Sequence, residues 1–333
     1  MIEGRVNSAK SLYEIMNSLV SIIVRTKDRP KLLKNALRSI AAQTYRPIEV
    51  VLVNDGGCDL DIEEIKSILR DVSLNYIRLE KNTGRAHAGN VGIENTNGKY
   101  IGFLDDDDEY YPEHLAVFVS LLNQVDYKIV YADSEFKFIE FDFGTREISE
   151  IEKRTFSSKE FSYEELLFGN YIPLISILFS REVLVSVGSF DESFDLYEDW
   201  DLLIRCGHRY PFYHIKKITS KYVQWSKELQ IAQSEKFLRE VDSAFDKVIS
   251  KHRDKFTPNV VRYLLKFRDG SQELNNIIRA KDAVISEKDA YIKKLEKTLK
   301  EKDDYIYMIH SGRGWRLLTR YFKIRDWFFR LIR

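Results

Sequence analysis

The sequence predicts an α/β fold with a mostly parallel central sheet, followed by a helical C-terminal extension. Three observations carry that expectation. Between residues 19 and 104, short β-branched apolar runs alternate with helical stretches, as in successive βαβ units. Each run is apolar almost without interruption, as strands covered on both faces require. Beyond about Lys227 the pattern becomes charged and helical.

Leu19 to Arg25 reads as the first buried strand. Asp28, Arg29 and Pro30 follow, and a proline suits the first turn of the helix entered there. Leu33, Leu37 and Ile40 give Lys31 to Ala42 helical spacing. A second strand, Ile48 to Val53, ends at Asn54-Asp55-Gly56-Gly57, and a helix over Ile62 to Leu69 leads to a third strand, Leu74 to Leu79. A glycine-containing loop and helix, Asn82 to Glu94, precede the fourth strand, Tyr100 to Leu104. That strand stops at four consecutive aspartates, Asp105 to Asp108. Parallel sheets bind ligands at their C-terminal strand edge, where Asp55 and the aspartates both fall. Further on, Ile129 to Ala132 and Leu174 to Phe179 read as strands, Tyr163 to Phe168 and Glu198 to Cys206 as helices. Phe136 to Thr155 is polar and aromatic and shows no assignable period.

The chain of 333 residues is 44% hydrophobic and 31% charged, a composition typical of globular proteins. Basic and acidic residues number 52 each, which excludes a globally basic nucleic-acid binder. Cys58 and Cys206 have no metal-ligand spacing and do not make a disulfide scaffold. The absence of a signal-peptide pattern and of a bilayer-length apolar run sets a cytoplasmic expectation, with peripheral contact at the cytoplasmic face of a membrane. Ile2-Glu3-Gly4-Arg5 matches a protease-recognition sequence and carries no argument.

Ile278, Ile285, Ile292, Leu299 and Ile306 recur every seven residues. Leu274, Leu295 and Ile309 fall on the partner seam, which Lys281, Lys288 and Lys302 interrupt. Residues 271–310 therefore read either as a homodimerising coiled-coil stalk or as one solvated helix packed on its own domain. Within 311–333 lie seven Lys/Arg and one acid, interleaved with Trp315, Tyr321, Phe322, Trp327 and Phe328. Such a helix suits an anionic membrane surface or a protein docking site. The expected organisation is a lead-in (1–18), a catalytic α/β domain (19–226), a helical linker region (227–270), the heptad helix (271–310) and the basic aromatic helix (311–333).

Four adjacent carboxylates repel one another, and a bound cation offsets that cost. A bare acidic run is more often a solvated turn; its position after a buried strand favours the cation. Glu198 and Asp199 open a helix, where acids also serve the N-terminal dipole without any catalytic part. Asp201 and Arg205 stand one turn apart and suit a simple ion pair. His208 and His214 read as structural.

Taken in order, these segments resemble family-2 glycosyltransferases, which have the GT-A fold, a Rossmann-like nucleotide-sugar-binding domain. The resemblance covers roughly Leu19 to Val223. It runs through Val20 to Arg29, with Arg25-Thr26 where the family carries proline-threonine, and through Val51-Leu52-Val53-Asn54-Asp55-Gly56-Gly57. It continues through Asn82-Thr83-Gly84-Arg85 to Asn90, Phe103 to Asp108 with Pro112, and Gly188 to Asp201. The resemblance implies an inverting transfer from a nucleotide diphosphate sugar to a saccharide or lipid-linked saccharide, as in surface-polysaccharide assembly. It implies that Asp55, Thr26, Arg29, Arg85, Asn90, Asp105 and Asp106 serve the donor and that Asp107 is the direct ligand of Mn or Mg. Asp199 is then the general base, with Glu198 and Trp200 on the acceptor side. Trp225 stands where many members carry a metal-site histidine. A nucleotidyltransferase of related architecture and an inactive transferase-like scaffold are the competing expectations; the first lacks a lysine-bearing, glycine-rich phosphate loop near the opening strand.

Overall fold

The computed structural model describes residues 18–142, 147–156, 159–225, 234–312, 314 and 319–324. By backbone contacts the chain divides into two units, Met1–Val261 and Arg262–Arg333.

In the first unit, β1 (Val20–Thr26), α1 (Pro30–Ala41), β2 (Ile48–Asn54), α2 (Ile62–Leu69), β3 (Ser73–Arg78), α3 (Arg85–Glu94) and β4 (Tyr100–Asp105) follow the alternation expected. Strands β3-β2-β1-β4 are all parallel, with Thr26 beside Asn54 and Arg25 beside Asp105. Every residue of β1 and β2 is buried, which explains their predominantly apolar character, and the buried Ser21 and Glu49 satisfy each other with a hydrogen bond. Leu33, Leu37 and Ile40 of α1 pack onto one face with Val20, Ile22, Val50 and Leu52. Each such side chain contributes roughly 1.5–3 kcal/mol on burial. On the other face α3 lies close to the sheet. A Cβ on Gly92 would come within 2.4 Å of Ile23, and one on Gly89 within 2.7 Å of the Phe190 ring.

After β5 (Glu109–Tyr110) and α4 (His114–Leu122) come β6 (Ile129–Asp142), β7 (Glu147–Phe156), α5 (Tyr163–Phe168), β8 (Ile177–Ser180) and α6 (Arg181–Val187). Then α7 (Glu198–Gly207), β9 (Phe212–Trp225) and α8 (Ser234–Lys251) follow. The sheet order is β3-β2-β1-β4-β8-β6-β9-β5, with β7 paired to β6. Beyond β4 the directions mix: β8 runs antiparallel to β4 and β6, while β6 and β9 are parallel. The fold is thus the expected α/β architecture, with its parallel half carrying Asp55 and the aspartates.

Within the unassigned stretch, residues 136–142 and 147–155 pair as a β6–β7 ribbon. Its register shifts between Phe138 and Ile139, and such a bulge resets the period-two alternation from which a strand is read. Residues 174–176 form a 3-10 turn before β8 instead of the start of a strand.

The 54-residue helix α9 (Pro258–Ser311) makes up most of the second unit. Ile285, Ile292, Leu295, Leu299 and Ile306 on it are each at least half exposed. Residues 319–324 are helical. Among the described residues no helix is long and apolar enough to cross a membrane.

Candidate active site

Parallel register brings the ends of β1, β2 and β4 to one edge. Arg25, the penultimate residue of β1, is buried, and its guanidinium donates to Asp105 through Nε at 2.8 Å and Nη2 at 2.9 Å. Its Nη1 donates to the Arg85 carbonyl at 3.1 Å and to Glu198 Oε1 at 3.4 Å. Glu198, only 2% exposed, also accepts from Arg85 Nη2 at 3.2 Å. A buried charge is tolerable only with such partners. Sequence reading passed over Arg25, although a lone arginine ending an otherwise apolar strand was the available signal.

Asp55 is buried and tied to the loop before α3. It accepts from the Thr83 amide at 2.7 Å, the Thr83 hydroxyl at 2.9 Å and the Gly84 amide at 3.0 Å. With its amide oriented to suit its neighbours, Asn82 donates to Asp55 at 2.6 Å and accepts from Lys27 at 3.2 Å. Gly56, at φ 69°, makes the turn: a Cβ there would come within 2.2 Å of the Lys81 backbone. Asn90 donates to the Phe190 carbonyl (3.0 Å) and to Glu192 (2.8 Å), and it accepts from the Phe190 amide at 2.8 Å. It joins α3 to the segment preceding α7.

The aspartate run separates into different environments. Asp106 accepts from the Thr26 hydroxyl at 2.7 Å and from Arg29 at 3.2 Å, and Asp107 accepts from Arg29 at 2.9 Å. Asp108 points inward and accepts from the Val223 amide at 2.8 Å. Burial pushes Asp106 up to about 6 against the Thr26 hydrogen bond and Arg29 charge, with Asp107 and Asp105 adding to the rise. Burial, then the charges of Asp107 and Asp105, hold Asp108 well above the carboxylate range. Hard oxygen donors crowded until they resist ionisation suit a divalent cation bound through one carboxylate and substrate phosphates. Asp107, which keeps some exposure, is the member placed to offer that carboxylate. Among the described residues no three His, Cys, Asp or Glu side chains form a metal cage. The Trp225 side chain lies outside the described residues.

Across the edge, Tyr197 adopts a left-handed conformation (φ 65°), rare for a bulky residue, and α7 starts immediately after it. Glu198 turns to the arginines rather than to helix amides. Asp199 Oδ1 accepts from the Trp200 amide at 2.8 Å, and Oδ2 accepts from Asn170 Nδ2 at 3.0 Å. Burial, then the Glu198 charge, raise Asp199 to about 6 against Arg85, the Trp200 amide and Arg25. Trp200 departs from its expected acceptor-side place. It is buried, its indole donates to the Leu166 carbonyl at 2.6 Å, and it packs against Tyr197 and Phe245 because it lies on the core face of α7. Asp201 pairs with Arg205 at 3.0 Å as its spacing predicts, and it also accepts from His252 at 2.9 Å. His214 hydrogen-bonds Asp133 at 2.8 Å.

These groups surround a cavity of about 550 Å³. Arg25, Arg85, Asp105 and Asp108 line one part; Glu198 and Asp199, with Asn170, Tyr171 and Tyr222, line another. The strand-end acids Asp105 and Asp108 and the carboxylate of Asp199 therefore open onto one space. Thr26, Arg29, Asp55, Asn90, Asp106 and Asp107 stand behind or beside that space and do not line it.

An α/β domain of this topology, with acidic strand ends facing a helix-borne carboxylate, is of the GT-A class. The sequence model described as Glycosyl transferase family 2 matches residues 21–185. The chain is 31% identical over 192 residues to "Uncharacterized glycosyltransferase YwdF" of Bacillus subtilis (strain 168), covering 57% of this chain and 69% of that protein. It is 32% identical over 194 residues to "Uncharacterized glycosyltransferase RP339" of Rickettsia prowazekii (strain Madrid E), covering 56% of this chain and 58% of that one. Its fold is similar to that of S. aureus TarS 1-349 in complex with UDP-GlcNAc, with a TM-score of 0.50 and 18% identity over 62% of this chain and 58% of that one. The chain thus spans about 58% of RP339 and of TarS 1-349. It belongs to glycosyltransferase family 2.

Proposed function

We propose that the protein is an inverting glycosyltransferase that uses a divalent metal to move a sugar from a nucleotide diphosphate to a saccharide hydroxyl. The observation that carries this reading is Asp199, raised by burial, held by the neutral donors Asn170 and the Trp200 amide, and facing the same cavity as Arg85, Asp105 and Asp108. Asp105 and Glu198 are by contrast paired with arginines.

In this reading Asp199 removes the acceptor hydroxyl proton as that oxygen attacks the anomeric carbon on the face opposite the nucleotide, so the configuration inverts in one displacement. Arg85, half-exposed at the cavity, stabilises the departing diphosphate. Asp55 serves the donor by fixing the turn from Thr83 to Arg85, while Thr26 and Arg29 hold Asp106 and Asp107. Mn or Mg, carried by Asp107, supplies Lewis-acid neutralisation of the leaving group when bound. Phe136, Tyr171 and Tyr222 offer aromatic walls for a saccharide acceptor.

UDP-GlcNAc, bound in the TarS structure, is the first donor to test, beside GDP- and dTDP-sugars. Calorimetric titration of UDP, GDP and dTDP with and without Mn tests the donor site. Mn-dependent binding of one nucleotide, lost in Asp107→Ala, supports it; no binding under any condition favours the inactive-scaffold reading.

The exposed heptad stripe of α9 fits a second copy of this chain in parallel register. A strict seven-residue repeat keeps its seam on a partner only if the helices supercoil. Parallel pairing sets isoleucine against isoleucine at 285, 292 and 306 and places Lys281, Lys288 and Lys302 opposite their own copies, where their long side chains can reach solvent. The basic aromatic segment 311–333 then brings the enzyme to an anionic membrane surface at the cytoplasmic face, beside a lipid-linked saccharide. Equal liposome binding with and without that segment sinks the last idea.

A further inference from the structure

The geometry points to Asn170 as the positioning residue of the reaction, holding the Asp199 carboxylate so that its remaining lone pairs face the cavity. This inference rests on the reading of Asp199 as the base.

Asn170 follows α5, in the segment that walls the cavity through Tyr171, Ile172 and Pro173. Its amide has one usable orientation. The Oδ1 atom accepts from the Ile172 amide at 3.0 Å, which leaves Nδ2 to donate to Asp199 Oδ2 at 3.0 Å. The other carboxylate oxygen is held by the Trp200 amide at 2.8 Å. Asp199 is thereby fixed from two directions, by its own helix and by a loop 29 residues away. A general base is effective only when its lone pair is aimed at the proton it takes. Backbone bonding from Trp200 places one oxygen, and Asn170 places the second.

The charges around the pair make a neutral donor necessary. Glu198 precedes Asp199 on the same helix, Arg85 approaches from α3 and Arg25 from β1. Tyr197 and Tyr222 feel the Asp199 charge, and Asp105 and Asp108 line the same cavity. A cation in place of Asn170 would pair with Asp199 and quench its basicity, and another carboxylate would raise its pKa further. A neutral amide steadies the ionised form without consuming it. The same residue begins the cavity wall, so an acceptor that presses on Tyr171 also presses on the support of the base.

The test is the titration of the Asp199 carboxyl carbon in full-length protein labelled at aspartate Cγ, with its signal assigned by loss in Asp199→Asn. Removing a donor to a carboxylate disfavours the ionised form, so Asn170→Ala should move the midpoint up by about one pH unit. Asn170→Asp, of equal size and with an added like charge, should move it further and serves if the alanine variant folds poorly. A merely structural asparagine would leave the midpoint where it is, and an unmoved midpoint in both variants overturns the inference. Turnover of nucleotide sugar by Asp199→Asn separates the two claims. Retained turnover removes Asp199 as the base, while the titration still decides whether Asn170 holds it.

Discussion

Arg25 and Asp105 meet through two hydrogen bonds, 2.8 and 2.9 Å long, that join the ends of neighbouring parallel strands. The same guanidinium reaches Glu198, so a single side chain from β1 ties the acidic donor edge to the helix that carries Asp199. Arg25→Met removes this shared partner and leaves the buried Glu198 paired with Arg85. The expected cost is about 3 kcal/mol, read as a lowered urea midpoint. An unchanged midpoint would show that the two acids find solvent or other partners.

Transfer should depend on the ionised form of Asp199. Burial and Glu198 place that group at about 6, so the rate should be flat above that pH and fall about tenfold per unit below it. Asp199→Asn should lose at least ~100-fold in turnover while still binding nucleotide. An acid limb near 4 would point to a solvated carboxylate elsewhere.

Asp107→Ala should abolish the Mn dependence of nucleotide binding with little loss of stability, because Asp107 lies at the open edge and not in the core. Thermal melts with and without Mn and nucleotide check this. A nucleotide-induced rise in Tm that still needs Mn in the variant would place the metal elsewhere.

His114 makes a separate, stability-linked prediction. It is fully buried between Tyr110 and Phe118, with Nδ1 at 2.9 Å from the Thr219 hydroxyl. Burial lowers its pKa to about 3, whereas an unfolded histidine titrates near ~6.5. Below that value the unfolded chain binds a proton that the folded one excludes. Stability is therefore fully present above pH ~6.5 and lost on acidification toward about 3, by up to ~1.4 kcal/mol per unit. Urea midpoints should fall less steeply with acid in His114→Gln than in the parent.

For the α9 stripe, Ile292→Cys in a Cys58→Ser background should give an oxidised dimer if the helices pair in parallel register. Lys293→Cys, one position off the seam, should not. Equal cross-linking at both positions, or none, would leave α9 as a solvated helix.

Much of this architecture was open to reading along the chain. Nearly continuous apolar runs set β1, β2 and β4, because strands covered on both faces admit few polar side chains, and their ends located Asp55 and the aspartates. The repeat on α9 was equally plain, since a seven-residue period is a local property. Three features waited for the folded chain. The β6–β7 ribbon was hidden by a bulge that shifts its alternation. Trp200 went to the core, because which face of α7 turns inward depends on Leu166 and Phe245, far away in sequence. The Arg25–Asp105–Glu198 linkage and the Asn170–Asp199 bond span 80, 173 and 29 residues. Sequence determines which segments can become buried strands and which residues end them; only the packing of distant segments decides which ionisable groups are paired with opposite charge and which carboxylate is held by neutral donors.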